Sequence, residues 1–124
     1  MKLFELQSPA EVQELENLLD DLMRPVGLDV EFSRHFIERL LARESKVTID
    51  EIRSSFAKLK QRYKKRLLHA KKVKGYQAVL KDFSNELNIV FAIKGGEMTN
   101  ITMMRKNPRN FLSSNFGSED LEVR

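Results

Sequence analysis

The hydrophobic pattern changes once along this chain, at Gly75, and that change constrains the fold more than any other feature. Before Gly75, apolar residues such as Val12, Leu15 and Leu19 recur at the spacing of one helix face. After Gly75, residues 87–93 are rich in strand-forming types and are bounded by turn signals. A block of helices followed by a block of strands with short links predicts an α+β fold.

The first half carries start signals for three helices. Ser8 precedes Pro9 and is a suitable N-cap, and Ser33 is the cap expected for a second helix over residues 34–44. The run 48–51 reads Thr-Ile-Asp-Glu, which is a capping box for a longer third helix. We expect that third helix to fray before the glycine that ends this half.

The second half predicts a meander of three or four antiparallel strands with the N-terminal helices packed on it. Gly95-Gly96 is a hairpin signal, and Pro108 is expected to end the last strand. The predicted strands cover residues 76–80, 87–93 and 99–104. We expect one domain over residues 1–112 and a flexible C-terminal tail over 113–124, which is rich in Ser, Asn, Gly and acidic residues.

Composition narrows the function classes. The chain has 124 residues, 41% apolar and 32% charged, which is typical of a globular domain. There is no cysteine and there are two histidines, so we expect no metal site and no other cofactor. No apolar run approaches the length of a membrane-spanning helix, and the first residues do not resemble a signal peptide. We therefore predict a cytoplasmic protein without a membrane partner.

The charges are strongly segregated. Residues 52–81 hold eleven Lys or Arg and no acid, whereas residues 1–31 hold eight acids and two bases, although the net charge is only +4. Such a field attracts a polyanion to one part of the surface, so nucleic acid is the leading candidate partner. An ordinary solvated helix face is the alternative. The predicted nucleic-acid contacts are Lys58, Arg62, Lys64, Lys65, Arg66, Lys71, Lys72 and Lys106.

Two tyrosines flank the basic stretch. Tyr63 and Tyr76 are placed to stack on a base. A buried position is the alternative for Tyr63, because it continues the apolar stripe of the predicted third helix.

A candidate catalytic set lies on the second predicted helix. His35, Arg39 and Arg43 are four residues apart and therefore share one edge of that helix. An imidazole can transfer a proton near neutral pH, and guanidinium groups can hold a phosphodiester and its developing charge. The alternative is an exposed edge whose arginines pair with Glu38, Glu44 or the acidic first helix.

Basic residues also end the third predicted strand. Arg105 and Lys106 precede the turn at Pro108 and are suitably placed to meet a backbone phosphate. We assign Arg105 to the candidate catalytic set. Protection of an exposed strand edge by cations and proline explains the same residues equally well.

A family resemblance can be stated on these residues. The segment 32–44, with Ser33, His35, Arg39 and Arg43, resembles the Ser-x-His-x-x-x-Arg-x-x-x-Arg pattern of small tailed-phage proteins, including RegB-type endoribonucleases. Helices followed by a sheet that ends in basic residues are similar to the RelE-type toxin arrangement. The resemblance implies a RelE-like fold and an active-site role for His35. The second histidine of the RegB pattern has no counterpart in this chain.

What the resemblance implies is a metal-independent endoribonuclease in the cytoplasm of an infected bacterium. His35 would act as acid or base in the attack of a ribose 2′-hydroxyl on the adjacent phosphate, while Arg39, Arg43 and Arg105 hold that phosphate. RNA is favoured over DNA, and single strands over duplexes. Two alternatives stay open. One is a non-enzymatic phage accessory or virion protein that binds nucleic acid or an acidic host protein. The other is a homodimer that pairs acidic and basic helices.

Overall fold

The computed structural model of this protein describes residues 8–112 and 118–124, with Arg43 described by its backbone alone. It contains three α-helices, three short 3-10 helices and five strands within those ranges. In chain order they are α1 Pro9–Met23, a 3-10 turn Arg24–Val26, β1 Asp29–Phe32, α2 Arg34–Leu41, a 3-10 turn Arg43–Ser45, α3 Ile49–Ala70, β2 Tyr76–Asp82, β3 Leu87–Lys94, β4 Glu97–Arg105, a 3-10 turn Pro108–Asn110 and β5 Glu119–Val123. The predicted α+β class is confirmed.

The helices begin where the capping signals predict. The hydroxyl of Ser8 accepts a hydrogen bond from the backbone N–H of Glu11 at 3.3 Å. Both hydrogen bonds of the capping box between Thr48 and Glu51 are present at the start of α3. Helix α2 ends at Leu41 rather than near residue 44, because Ala42 is extended and the Ser45 hydroxyl donates to the carbonyl of Arg39 at 2.7 Å.

The sheet has five strands in the order β1-β4-β3-β2-β5 and is mixed. The meander β2-β3-β4 is antiparallel, as predicted. The prediction of a purely antiparallel sheet with three or four strands is wrong, because β1 and β5 each add in parallel at an edge. Strand β1 escaped prediction because it has only four residues and lies between two helices.

The predicted C-terminal tail also needs correction. Residues 113–117 lie outside the described part of the chain, but Glu119–Val123 pair with β2 and close the sheet. Leu121 and Val123 are each 2% exposed, and they alternate with acidic residues in the burial pattern of a half-buried strand. The acidic composition of this segment concealed that alternation. A flexible tail over 119–123 is therefore wrong.

The main core lies between the three helices and one face of the sheet. Its largest buried side chains include Phe36 from α2, Phe56 from α3 and Phe91 from β3. A small second cluster on the sheet joins Val79 and Val90 to Phe111, which follows the last 3-10 turn. No helix in the described ranges is both long enough and apolar enough to cross a membrane.

The free edge of β1 is occupied by carboxylates of α1. Asp20 accepts a hydrogen bond from the backbone N–H of Val30 at 2.6 Å, and Glu16 accepts one from Phe32 at 3.2 Å. These contacts use backbone donors that would otherwise be open to a further strand. They also fix part of the acidic stretch over residues 1–31 at this edge of the sheet.

Candidate nucleic-acid interface

The residues of the candidate catalytic set do not share one environment. His35 is exposed in the first turn of α2, and no hydrogen bond or ion pair joins its imidazole to another residue in the described part of the chain. Arg39 donates from Nε to the backbone carbonyl of Met103 at 3.2 Å and so covers the edge of β4. The side chain of Arg43 lies outside the described structure.

Arg105 is held by partners within the fold. Its guanidinium donates to the backbone carbonyls of Ser45 at 2.8 Å, Asn85 at 3.0 Å and Lys46 at 3.1 Å. It also forms an ion pair with Glu51 of the capping box. These contacts tie the end of β4 to the loop before α3. The sequence predicts a phosphate-binding role for Arg105, whereas the structure gives its guanidinium partners within the fold.

His35 and Arg105 lie toward opposite ends of α2. His35 is the second residue of that helix, whereas the Arg105 guanidinium binds carbonyls that follow the helix. At 1.5 Å per residue, the helix rises about 9 Å from His35 to its end at Leu41. The Arg105 guanidinium is thus engaged by partners beyond the other end of α2 from His35, and the catalytic assignment stays a prediction.

Lys58 of α3 belongs to a buried network around Asp82. The Asp82 carboxylate is fully buried and accepts from Lys58 Nζ at 2.8 Å and from the Ser55 hydroxyl at 2.5 Å. Burial alone would raise the pKa of Asp82, but hydrogen bonds from Lys58, Ser55 and Asn85 outweigh it and lower that pKa below its ordinary value. Lys58 therefore neutralises a carboxylate of the sheet.

Two further cations pair with β5. The Arg66 guanidinium binds both carboxylate oxygens of Glu119, at 2.7 and 2.8 Å. Lys81 is almost buried and lies 3.2 Å from the Asp120 carboxylate, and its Nζ also donates to the Phe111 carbonyl at 2.8 Å. The acidic residues of β5 thus compensate part of the basic stretch over residues 52–81.

A concave surface lies where the end of α3 faces the turn between β3 and β4. Two adjoining cavities of about 750 and 580 Å³ share Lys71, Lys72 and Gly95, and together we call them the lysine groove. The groove is lined by Lys65, Leu68, His69, Lys71, Lys72, Val73, Lys74, Gly75, Tyr76, Gln77, Ala92, Ile93, Lys94, Gly95 and Gly96. None of these residues carries a carboxylate.

Four lysines of the groove differ from the paired cations described above. Lys65, Lys72, Lys74 and Lys94 make no ion pair or hydrogen bond through their ammonium groups within residues 8–112 and 118–124. The fifth, Lys71, donates to the Val26 carbonyl at 3.3 Å. Like charges that face one concave surface without counter-charges create a positive potential there.

Local structure explains why the groove forms. Helix α3 ends at Ala70, and Gly75 adopts a positive φ of 74° that turns the chain into β2. The antiparallel register pairs Tyr76 with Ile93, so Lys94 arrives beside the loop that carries Lys74. A hairpin therefore brings a lysine from β3 to the end of the basic helix.

The predicted nucleic-acid contacts divide into three groups. Lys65, Lys71 and Lys72 line the groove. Lys58 and Arg66 form ion pairs, and the Arg62 guanidinium lies over the ring of Tyr63 at 5.7 Å. Lys64 and Lys106 are exposed outside the groove lining.

The contacts predicted from the sequence do not include Lys74 and Lys94, which the structure places in the groove lining. The signal that could have identified them is the predicted antiparallel pairing of residues 76–80 with residues 87–93. In such a pair the end of the second strand lies beside the start of the first. The hairpin pairing alone is therefore sufficient to predict that Lys94 lies near Lys74.

An acidic cluster adjoins the groove, because Glu97 directly follows Gly96 of the groove lining and the backbone N–H of Asp29 donates to the Gly96 carbonyl at 2.7 Å. Desolvation together with the charges of Glu16, Glu97, Asp20 and Asp29 raises the pKa of Glu31 on β1. No group of three or more potential metal ligands occurs among the residues that the structure describes. The fold therefore reduces the segregation of charge seen in the sequence, because carboxylates of β1 and β4 adjoin the groove and those of β5 pair with cations of the basic stretch.

Comparisons with known proteins returned no relative. No family model, no curated protein and no solved structure matches the chain. The RegB-type and RelE-type resemblance accordingly stays a prediction.

Proposed function

We propose that this protein binds nucleic acid through the lysine groove. The observation that carries the proposal is the contrast within one basic segment. Lys58, Arg66 and Lys81 are neutralised by carboxylates, whereas Lys65 and Lys72 face a cavity whose lining has no carboxylate. When unpaired ammonium groups neutralise phosphates, the counterions condensed on the nucleic acid are released, and this release supplies most of the affinity of non-specific nucleic-acid binding.

The geometry favours binding over cleavage. The Arg105 guanidinium donates to backbone carbonyls and Arg39 Nε donates to the Met103 carbonyl, so these two members of the predicted phosphate clamp already have partners within the fold. RNA cleavage by His35 is kept as a prediction. It is tested by incubating RNA with the protein in the presence of EDTA and looking for 2′,3′-cyclic phosphate ends, with His35→Ala as the control.

The binding proposal is tested by measuring the dissociation constant for a short fluorescent RNA as a function of salt. The groove variant carries Lys72→Gln, Lys74→Gln and Lys94→Gln. We expect it to bind about tenfold more weakly or worse at low salt. We also expect its slope of log K against log[salt] to shrink by roughly 2, because each phosphate contact to a single strand contributes about 0.7.

The matched control removes the same charge elsewhere. Arg34, Arg53 and Arg109 are exposed and lie outside the groove lining, so their replacement by Gln should leave the affinity and the slope close to wild type. Equal weakening by both triple variants would mean that net charge alone drives binding. Absence of RNA binding by the wild type, together with binding to an acidic protein, would replace nucleic acid by a protein partner.

A further inference from the structure

The lysine groove contains apolar surface as well as charge. Four large apolar side chains of the described residues are notably exposed, and two of them, Leu68 at 40% and Val73 at 37%, line this groove. The half-buried Tyr76, with Ala92 and Ile93, also lines its second cavity. A ligand for this surface must therefore present apolar faces together with its negative charges.

A nucleic-acid duplex does not meet that requirement. Its bases are stacked and paired, so the outer surface that reaches a protein groove is mainly phosphate and sugar. A single strand can turn unstacked bases toward apolar and aromatic side chains while its phosphates contact cations. The two adjoining cavities, at about 750 and 580 Å³, fall within the range of volumes that accommodate small organic ligands.

Tyr76 is oriented by a contact outside the groove. Its hydroxyl donates to the carboxylate of Glu119, which Arg66 binds as well. Burial and the hydrogen bond to Glu119 raise the pKa of Tyr76, so the phenol stays neutral. The ring is thus held at the wall of the cavity without a negative charge that would repel phosphates.

We infer that the lysine groove selects single-stranded over double-stranded nucleic acid, with phosphates on the lysines and an unstacked base against Leu68, Val73 or Tyr76. This inference rests on the proposed function and narrows its substrate class. A flat anionic membrane fits less well, because Leu68 and Val73 line concave surfaces and do not form a protruding apolar face.

The test compares a short RNA strand with its duplex, at equal phosphate concentration, for the wild type and for a Leu68→Gln, Val73→Gln variant. Both positions are exposed, so the variant should fold. We expect the wild type to bind the single strand about tenfold more tightly than the duplex, and the variant to lose most of that preference. The salt slope should stay unchanged, because no ammonium group has been removed.

The control variant is Met104→Gln, Leu112→Gln, which alters the two other exposed apolar side chains, both outside the groove lining. It should retain the single-strand preference. Equal affinity of the wild type for strand and duplex, or an unaltered preference in the Leu68→Gln, Val73→Gln variant, would overturn this inference while leaving nucleic-acid binding intact. Failure of both RNA forms to bind, with binding to an anionic vesicle or acidic peptide, would overturn the proposed function as well.

Discussion

The cations around the sheet and, apart from Lys94 of β3, the cations of the lysine groove come from the same basic segment but have different surroundings. Lys58 and Lys81 reach carboxylates of the sheet and lose most of their exposure, at 24% and 9% of the side chain. Lys72 and Lys74 lie just beyond the end of α3, are exposed, and meet no carboxylate among the described residues. The difference indicates that the first group stabilises the fold and the second is available to a ligand.

The largest expected effect on stability is at the buried network. Asp82→Asn leaves the Lys58 ammonium without its counter-charge and turns an amide N–H toward existing donors. We expect the free energy of unfolding to fall by about 3–5 kcal/mol, as for other broken buried pairs. Urea denaturation measures it.

The same substitution at Asp21 is the control for this comparison. The carboxylate of Asp21 pairs with Arg24 at the surface, with 66% of its side chain exposed. Asp21→Asn should cost less than about 1 kcal/mol. Similar losses at Asp82 and Asp21 would mean that the buried network does not hold the helix to the sheet.

Arg105 should show the next largest effect. Arg105→Lys replaces a planar fork that reaches three carbonyls and Glu51 by a single ammonium group, which leaves some of these acceptors unpaired. We expect the free energy of unfolding to fall by about 2 kcal/mol. Arg109→Lys, at an exposed position, should change it by less than about 0.5 kcal/mol.

An enzymatic role for Arg105 would give the opposite result. In that case the wild-type protein would cleave RNA, and the Arg105→Lys variant would not cleave it although its urea midpoint matched that of the wild type. Cleavage and stability measured on one preparation separate the two roles.

Acid should weaken the network around Asp82 by a smaller amount. The pKa of Asp82 is lower in the folded chain than in the unfolded chain, so its ionisation stabilises the fold above the unfolded pKa. That contribution disappears as the pH falls through the folded value, below about pH 4. The stability gap between wild type and Asp82→Asn, measured by urea at several pH values, should therefore narrow in acid. A constant gap would contradict the assignment.

The smallest effect on stability is expected in the lysine groove. Replacing Lys72, Lys74 and Lys94 by Gln should change the free energy of unfolding by less than about 0.5 kcal/mol per site, because these ammonium groups pair with no described residue. The same variant should bind nucleic acid about tenfold more weakly or worse at low salt. A marked loss of stability would show that these lysines have structural partners and would remove the basis of the comparison.

The sequence predicted much of the fold because its signals are local. Caps at Ser8 and Thr48 and the Gly95-Gly96 turn act over a few residues, and all of them appear in the structure. The parallel edge strands depend on pairing between distant segments, such as Glu119–Val123 with β2. No local pattern encodes such pairing, and a short strand rich in acids reads as a tail.

The candidate site was less predictable for a related reason. The spacing of His35 and Arg39 correctly placed them on one helix, but only the packed structure shows that Arg39 reaches Met103. Likewise the sequence shows that Lys58 and Lys72 are basic, but the carboxylate that neutralises the first comes from β2. Tertiary contacts decide which cations remain without a carboxylate partner. Counting charges along the chain therefore overestimates the number of unpaired cations.

The most direct test of the central claim is a titration of the ¹⁵N-labelled protein with a short single-stranded RNA, followed by backbone amide chemical shifts. The account predicts that the shifts concentrate on residues 65–76 and 92–96, which form the lysine groove, and that α2 is little affected. Shifts centred on His35 and Arg39, with the groove unchanged, would contradict it and would place the interaction on the helix that the sequence first indicated.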